Sequence, residues 1–330
     1  MIITRTPYRL SFFGGGTDFP GWYLKNGGRV ISSTINKFSY INLRYLPSYF
    51  KYKSVIRYYQ REEVNNFNDI KHPSVKECLK FCGIKKGVEI VHAGDLPAQS
   101  GLGTSSCFTV GLLNALYALK GQIITKKQLA NESIFVEQKK IRENVGSQDQ
   151  TASAFGGINK IEFGTKENVV VSPLVLKENS VVELENNLLL FFTGLSRNSS
   201  EIAKLQINNL HNNSNYLYRM MELVDEGEKQ MCMPKFPSKE FGKLLHEQWQ
   251  IKKKLSNKIS NKKIDDLYDQ AINHGAIGGK LLGAGNGGFI LFYVEKNKRK
   301  KFLKKFNKLL HVPFRFDFTG SQIIHYSYNN

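Results

Sequence analysis

No stretch of this 330-residue chain approaches the roughly 20 consecutive apolar residues that a membrane-spanning helix requires. The opening MIITRTPYRLSFF runs straight into a glycine-rich turn, without the basic, apolar and small-residue regions of a secretory signal. A soluble, cytoplasmic protein with no membrane partner is therefore expected. Cysteine is scarce. Cys78, Cys82, Cys107 and Cys232 show neither CxxC pairing nor the density of a disulfide scaffold, so they read as reduced thiols. HExxH is missing and none of the seven histidines joins a Cys/His cluster, so zinc chemistry is not indicated. Absence of GxSxG, VAIK, HRD and DFG argues against an α/β-hydrolase and a protein kinase. A GxxxxGK loop, internal repeats and long low-complexity linkers are missing as well.

Acidic residues are outnumbered, 28 Asp and Glu against 47 Lys and Arg, which leaves a formal net charge of +19. Such an excess attracts nucleic acid, anionic lipid or phosphorylated small molecules. An RNP-like aromatic motif is absent, so a nucleic-acid partner is not expected. Much of the charge lies in Lys252, Lys253, Lys254, Lys258, Lys262 and Lys263, and again between Lys298 and Lys308. Its interleaving with apolar residues reads as solvated helix faces. A hydrophobic content of 41% supports one or two sizeable cores, and the length favours two domains. A change of pattern places the boundary near residue 170, giving units 1–170 and 171–330.

The segments ITRTPYRLSFF and VISSTINKFSYINLRYLP are β-branched and aromatic and are separated by Gly14-Gly15-Gly16, as antiparallel strands would be. VEIVHAGDLP reads as another strand. Gly101-Leu102-Gly103 then introduces Thr104-Ser105-Ser106 and the apolar run CFTVGLLNALYALKG, a loop, a cap and a buried helix. Thr125 followed by Gln128 is a capping box for a helix to about Ile141, and SQDQTASAF predicts a further short helix. Strands are expected near Val169–Pro173 and Leu188–Thr193. Beyond Ser199 the pattern is helical as far as Gly283-Ala284-Gly285-Asn286-Gly287-Gly288, then a strand FILFYVEK, a helix around Phe302–Leu310 and a closing strand SQIIHYSY. The second half is α+β.

Three glycine-rich segments carry the chemistry. The central one, Pro97-Ala98-Gln99-Ser100-Gly101-Leu102-Gly103-Thr104-Ser105-Ser106, has the composition of a phosphate cradle. Glycines let the main chain approach an anion, and the helix that follows presents amides at the positive end of its dipole. An ordinary capped strand-to-helix turn is the competing reading. Gly283, Gly285 and Gly288 match GxGxxG, but a helix precedes and a strand follows, the reverse of a dinucleotide fold. Taken alone, this segment reads as a tight helix-to-strand turn, with a loop packed against the substrate and phosphates of the other domain as the competing reading. The first segment, Arg9 to Phe19, sets a cation, a flexible turn and Asp18 close together, so Asp18 is a candidate acceptor for sugar hydroxyls and Arg9 for holding a carboxylate or oxyanion, with a solvent-facing hairpin closed by a Thr-Asp turn as the competing reading. Glu137 and Asp149 flank a turn containing Gly146. Phosphoryl transfer needs one carboxylate for a hard cation and one for the attacking hydroxyl, although each acid taken singly reads as surface.

In this order the three segments resemble the GHMP kinases, the family of galactokinase, homoserine kinase and mevalonate kinase. The resemblance covers nearly the whole chain. It implies a two-domain α+β fold, with an N-terminal domain like ribosomal protein S5 domain 2 and a C-terminal ferredoxin-like domain, and ATP and Mg²⁺ as cofactors. Pro97 to Ser106 looks like the family's phosphate loop, with Thr104 in place of the first serine. Ser105 and Glu137 then fall at the Mg²⁺ ligands, Asp149 at the catalytic aspartate and Arg9 at the basic residue of the first motif. Gly283 to Gly288 looks like the third motif, which puts Gly285, Asn286 and Gly287 among the substrate contacts, with Asn286 where glycine is usual. Gly14, Gly15, Gly16, Thr17 and Asp18 resemble the branch of sugar 1-kinases acting on D-glycero-α-D-manno-heptose 7-phosphate, with fucokinases as relatives. Arg197, in a segment similar to that branch, becomes a candidate partner for a substrate phosphate. A sugar kinase forming the 1,7-bisphosphate is what the resemblance implies. Another sugar 1-kinase, or a non-catalytic sugar sensor, stays open.

Overall fold

The computed structural model describes residues 1–166, 168–194 and 199–327. The chain opens with β1 (Ile2–Phe13), turns through its glycines into α1 (Pro20–Asn26) and returns as β2 (Gly28–Tyr45). The hairpin of β3 (Ser54–Arg57) and β4 (Arg61–Val64), then α2 (Pro73–Phe81) and β5 (Val88–Gly94), precede α3 (Thr104–Leu119). Next come α4 (Lys126–Phe135), a π-helical turn (Val136–Ile141), α5 (Gln148–Phe155), β6 (Ile158–Phe163) and β7 (Val169–Pro173). The second half holds α6 (Glu178–Asn187), β8 (Leu188–Phe192), α7 (Ser199–Asn208), α8 (Ser214–Met231), α9 (Ser238–Lys254), α10 (Lys262–Asn273), β9 (Ala276–Leu281) and β10 (Phe289–Val294). It closes with α11 (Lys296–Lys305), β11 (Leu310–His311), β12 (Phe316–Asp317) and β13 (Gln322–Tyr326).

Among the described residues the strands form two sheets. A nine-stranded sheet runs β13-β1-β2-β5-β3-β4 with β6, β7 and β12 attached, and a four-stranded antiparallel sheet runs β11-β8-β10-β9. The strands and helices named before Ser199 are found, with shifted ends, but the stretch before Gly283 is a correction: the helix stops at Asn273 and Ala276–Leu281 is the strand β9, so the third glycine segment joins two antiparallel strands. α1 was not foreseen; it begins at Pro20, whose fixed φ suits the first helical turn. The lysine-rich helix starts at Lys296 rather than near Phe302. The expected boundary at residue 170 falls inside β7, which pairs with β6 in the larger sheet. The last strand, β13, crosses back to pair with β1.

Two clusters of buried apolar side chains hold these layers. α2, α3 and α4 press Cys78, Leu79, Val110, Leu113, Leu116 and Leu129 onto Ile41, Leu43, Val88 and Ile90 of the large sheet. The other cluster fuses the end of β1 with the second half. Phe12 and Phe13 meet Phe241 of α9 edge to face at 6.0 and 5.5 Å, and Phe241 lies 5.5 Å from Tyr293 of β10. Burial of each ring is worth about 1.5–3 kcal/mol, and edge-to-face contacts add about 0.5–1.5 kcal/mol. The glycine turn after Phe13 therefore starts from a rigid joint between the two halves.

Most of the lysines do face solvent as expected, including Lys254, Lys258, Lys262 and Lys263. Lys252 is a correction: it is 5% exposed.

Candidate active site

The central glycine segment lies at the mouth of a cleft of about 360 Å³. Leu102, fully buried, pins the loop to the core, and its carbonyl accepts from the Arg9 amide at 3.2 Å. On either side Gly101 (φ +88°) and Gly103 (φ +71°) take left-handed conformations, which cost glycine little and other residues more. Gly103 is the N-cap of α3 and supplies no side chain to cap it, so first-turn amides of the helix are left for another acceptor. Gly101, Gly103, Thr104, Ser105 and Ser106 all line the cleft. The Thr104 hydroxyl accepts from the Gln99 amide at 3.2 Å, which steadies the loop.

Pro7 stands in the middle of β1 and the strand register shifts between Pro7 and Arg9, as a bulge allows where proline offers no amide. Beyond this bulge the buried guanidinium of Arg9 forks onto Asp149, Nε to Oδ1 at 2.7 Å and a terminal nitrogen to Oδ2 at 2.8 Å. Its other terminal nitrogen donates to the Gly101 carbonyl at 2.7 Å. One cation thus locks the carboxylate to the glycine loop. The fit is tight, since a Cβ at Gly103 would sit 3.1 Å from Asp149 Oδ2. A carboxylate has about four lone-pair sites, so two remain to accept a hydroxyl from the cleft.

Asp18 forms the neighbouring wall. Its Oδ1 accepts from the Gly16 amide at 2.9 Å and its Oδ2 from the Gln148 amide at 3.3 Å. Burial, and then the charge of Asp149, push its carboxyl above the usual range. Gly146 is required there, because a Cβ would come within 1.8 Å of Asp18 Oδ2.

Glu137 sits in the π-helical turn and is fully buried behind Ser106. Its Oε2 accepts from the Ser106 hydroxyl at 2.8 Å and from the Gln150 amide, while Oε1 is buried and, among the described residues, has no hydrogen-bond partner at ordinary distance, the Thr109 hydroxyl being the nearby donor group. Burial pushes the carboxyl up to about 7, with the charge of nearby Glu143 adding to it. Glu143 lines the cleft and is itself raised by burial. A buried carboxylate with one under-donated oxygen, beside a second carboxylate and serine hydroxyls, fits a hard divalent cation. Among the described residues no group of three His, Cys, Asp or Glu converges, so such a cation would need phosphate or water oxygens for the rest of its shell.

Of the other residues expected at the site, Gly15, Gly16 and Asp18 line the cleft. Gly14 and Thr17 stand behind it, the Thr17 hydroxyl tied to the carbonyls of Gly14 and Arg29. Pro97 is exposed outside the cleft, and Ser100 is buried with its carbonyl accepting from the Phe289 amide at 3.0 Å. Ser105 faces the cleft, but the hydroxyl on Glu137 is that of Ser106. Gly285, Asn286 and Gly287 do not line the cleft. Gly285 packs on Ile259, and Asn286 (φ +63°) bonds with Ile259 and Asn261, while Gly283 and Ala284 face the opening. Arg197 lies outside the described residues. Sequence reasoning missed Lys252, Glu143 and Gln206 as cleft residues. A signal existed for Lys252, which continues the buried spacing of Phe241, Leu245, Gln248 and Trp249.

The GHMP kinases N terminal domain profile matches residues 70–157, and the GHMP kinases C terminal profile matches residues 233–312. Over 334 residues the chain is 30% identical to a D-glycero-alpha-D-manno-heptose 7-phosphate kinase of Campylobacter jejuni, covering 96% of each. It is 25% identical to an L-fucokinase/L-fucose-1-P guanylyltransferase of Bacteroides fragilis, with 90% of this chain spanning 35% of that protein. A solved D-glycero-D-manno-heptose 1-phosphate kinase from Bacteroides thetaiotaomicron superimposes with a TM-score of 0.82 at 25% identity, over 99% of this chain and 100% of the other.

Proposed function

This chain belongs to the GHMP kinases, and from that premise we propose that it phosphorylates the anomeric hydroxyl of D-glycero-α-D-manno-heptose 7-phosphate. The product is the 1,7-bisphosphate, a step in nucleotide-activated heptose biosynthesis. The observation that carries the reading is the fork from Arg9 to Asp149 and Gly101. It sets a hydroxyl-accepting carboxylate against a loop built to hold phosphate. The similarity to the Campylobacter protein over nearly the full length of both supports the choice of acceptor.

In this reading amides and hydroxyls of Gly101 to Ser106 hold the triphosphate, and negative charge that grows toward the leaving ADP is met by the first turn of α3. Ser105, Ser106 and Glu137 are the residues that would hold Mg²⁺, which when bound screens the phosphate oxygens from the incoming nucleophile. Gly15, Gly16 and Asp18 hold the sugar. Asp149 aligns the anomeric hydroxyl and takes its proton as the new P–O bond forms and the bond to the bridging oxygen of ADP breaks. Arg9 fixes the carboxylate and lies beside the transferring group. An anomeric hydroxyl is more acidic than an ordinary alcohol, which suits a weak base. The base contributes about 10²- to 10⁴-fold.

The test is ADP release from Mg-ATP with a panel of free sugars and sugar 7-phosphates, followed by NMR of the product. Preference for the heptose 7-phosphate with a new phosphate at the anomeric carbon supports the assignment. The fucokinase relative makes fucose the comparison that matters most, and faster turnover of free fucose would overturn the choice of acceptor.

A further inference from the structure

We infer that Lys252 binds a phosphoryl group from the wall of the cleft opposite the glycine loop, and so touches substrate during transfer. The inference rests on the kinase reading above and names a residue which that reading leaves unused.

The placement follows from the helix. Phe241, Leu245, Gln248 and Trp249 form the buried stripe of α9, and residues at intervals of three and four share one face. Lys252 is the next position on that stripe. It is 5% exposed, in a place where an aliphatic side chain would serve packing alone. The following lysines, each turned about 100° further round the helix, behave as surface residues do. Lys253 pairs with Asp265 at 3.2 Å and Lys254 lies over the Tyr216 ring at 5.6 Å. Lys252 alone of the three lines the cleft.

Its surroundings point to an anion. The Lys252 ammonium donates to the Gly283 carbonyl, which orients it beside the Gly283–Ala284 edge of the opening. Through Gln248, whose Oε1 accepts from the Gly14 amide at 3.1 Å, the same end of α9 grips the turn that carries Gly15, Gly16 and Asp18. Lys252 therefore stands where acceptor and terminal phosphate come together. Among the described residues that line the cleft the cations are Arg9 and Lys252, and Arg9 directs donors at Asp149 and Gly101. Lys280 is buried close by, and burial, followed by the charges of Lys252 and Arg9, pushes its ammonium well below the usual range. An ammonium held in such a place gains most from a dianionic phosphate, which forms charge-assisted hydrogen bonds in a largely dry site.

That phosphate is either the ester already on the acceptor or the terminal group of ATP. The full-length protein, wild type and Lys252→Met, separates them through kcat and KM for heptose 7-phosphate and for the unphosphorylated heptose, with Mg-ATP affinity measured directly. The expected result is a loss of about 30- to 1000-fold in kcat/KM, partly restored in Lys252→Arg. A rise in KM confined to the 7-phosphate assigns the acceptor's phosphate. An equal fall in kcat with both sugars, with weaker Mg-ATP binding, assigns the terminal one. Lys252→Gln keeps a neutral donor for Gly283 and replaces Lys252→Met if that variant does not fold. A folded neutral variant within about threefold of wild type in all these constants overturns the inference. The comparison is made on the acceptor that the wild type turns over best, so a wrong heptose assignment is seen in the wild type alone.

Discussion

The amide of Phe289 donates to the carbonyl of Ser100 at 3.0 Å, joining the third glycine segment to the central one although 189 positions in the sequence separate them. Gly288 makes this approach possible. Its φ is +94° and a Cβ would lie 2.1 Å from the Ser100 carbonyl oxygen. Gly288→Ala is expected to destabilise the protein by about 1–3 kcal/mol and to weaken Mg-ATP binding by displacing the loop. Urea unfolding and nucleotide titration read the two effects, and unchanged values for both would remove this junction from the account.

Asp149→Asn keeps the shape and one of the acceptors for Arg9 but removes the base. Turnover should fall by about 10²- to 10⁴-fold, while Mg-ATP affinity stays within a few-fold of wild type. Steady-state kinetics with a separate nucleotide titration are the check. Near-normal turnover would mean that the hydroxyl proton leaves by another path.

Gly146→Ala forces a methyl group toward the Asp18 carboxylate, where only 1.8 Å is available. Because Asp18 is held by the amides of Gly16 and Gln148, the expected effect is on the sugar. Its KM should rise at least about tenfold, roughly the 1.4 kcal/mol of one moderately strained contact, with the KM for Mg-ATP little changed. Equal rises in both constants would place Asp18 outside the acceptor site.

Glu137 gives a pH signature. Its folded carboxyl is raised to about 7 from the ordinary 4.5, so between these values the folded state binds more protons than the unfolded one. Stability without Mg²⁺ therefore declines as pH rises through that window and levels off above it, by at most on the order of 3 kcal/mol from this group. In Glu137→Gln that decline should be smaller, and the difference between the two proteins isolates Glu137 from Asp18 and Glu143, which are raised in the same sense. Thermal unfolding between about pH 5 and pH 8 measures it, and parallel curves for the two proteins would contradict the buried-charge assignment. Mg²⁺ protection of the wild type should grow over the same range, since a carboxylate ligand must first lose its proton.

Much of the fold was legible because its signals are local. The N-cap half of the capping box at Thr125 is present, its hydroxyl accepting from the Gln128 amide at 3.2 Å while the Gln128 side chain donates to Glu132 instead, and the helix begins where it predicts. The glycines of the central loop take the left-handed conformations that their composition implies, and α3 follows at Thr104. Hidden from such signals were α1, only seven residues long, with too few turns for a period to register, and β9, whose AIGGKL carries two glycines and no clear alternation.

What the sequence determined by itself was most of the longer elements and the chemistry on offer: three flexible turns, acids at Asp18, Glu137 and Asp149, and a cation at Arg9. Backbone preference and side-chain period act over a few residues, so they can be read in one dimension. Only the tertiary structure decided that Ser106 rather than Ser105 meets Glu137, that Gly283 and Ala284 rather than Gly285 to Gly287 face the cleft, and that Lys252 turns inward beside two lysines that do not. β13 pairs with β1 for the same reason. Each outcome depends on which surface a side chain finds opposite it, and that is set by burial of apolar area between segments far apart in the chain.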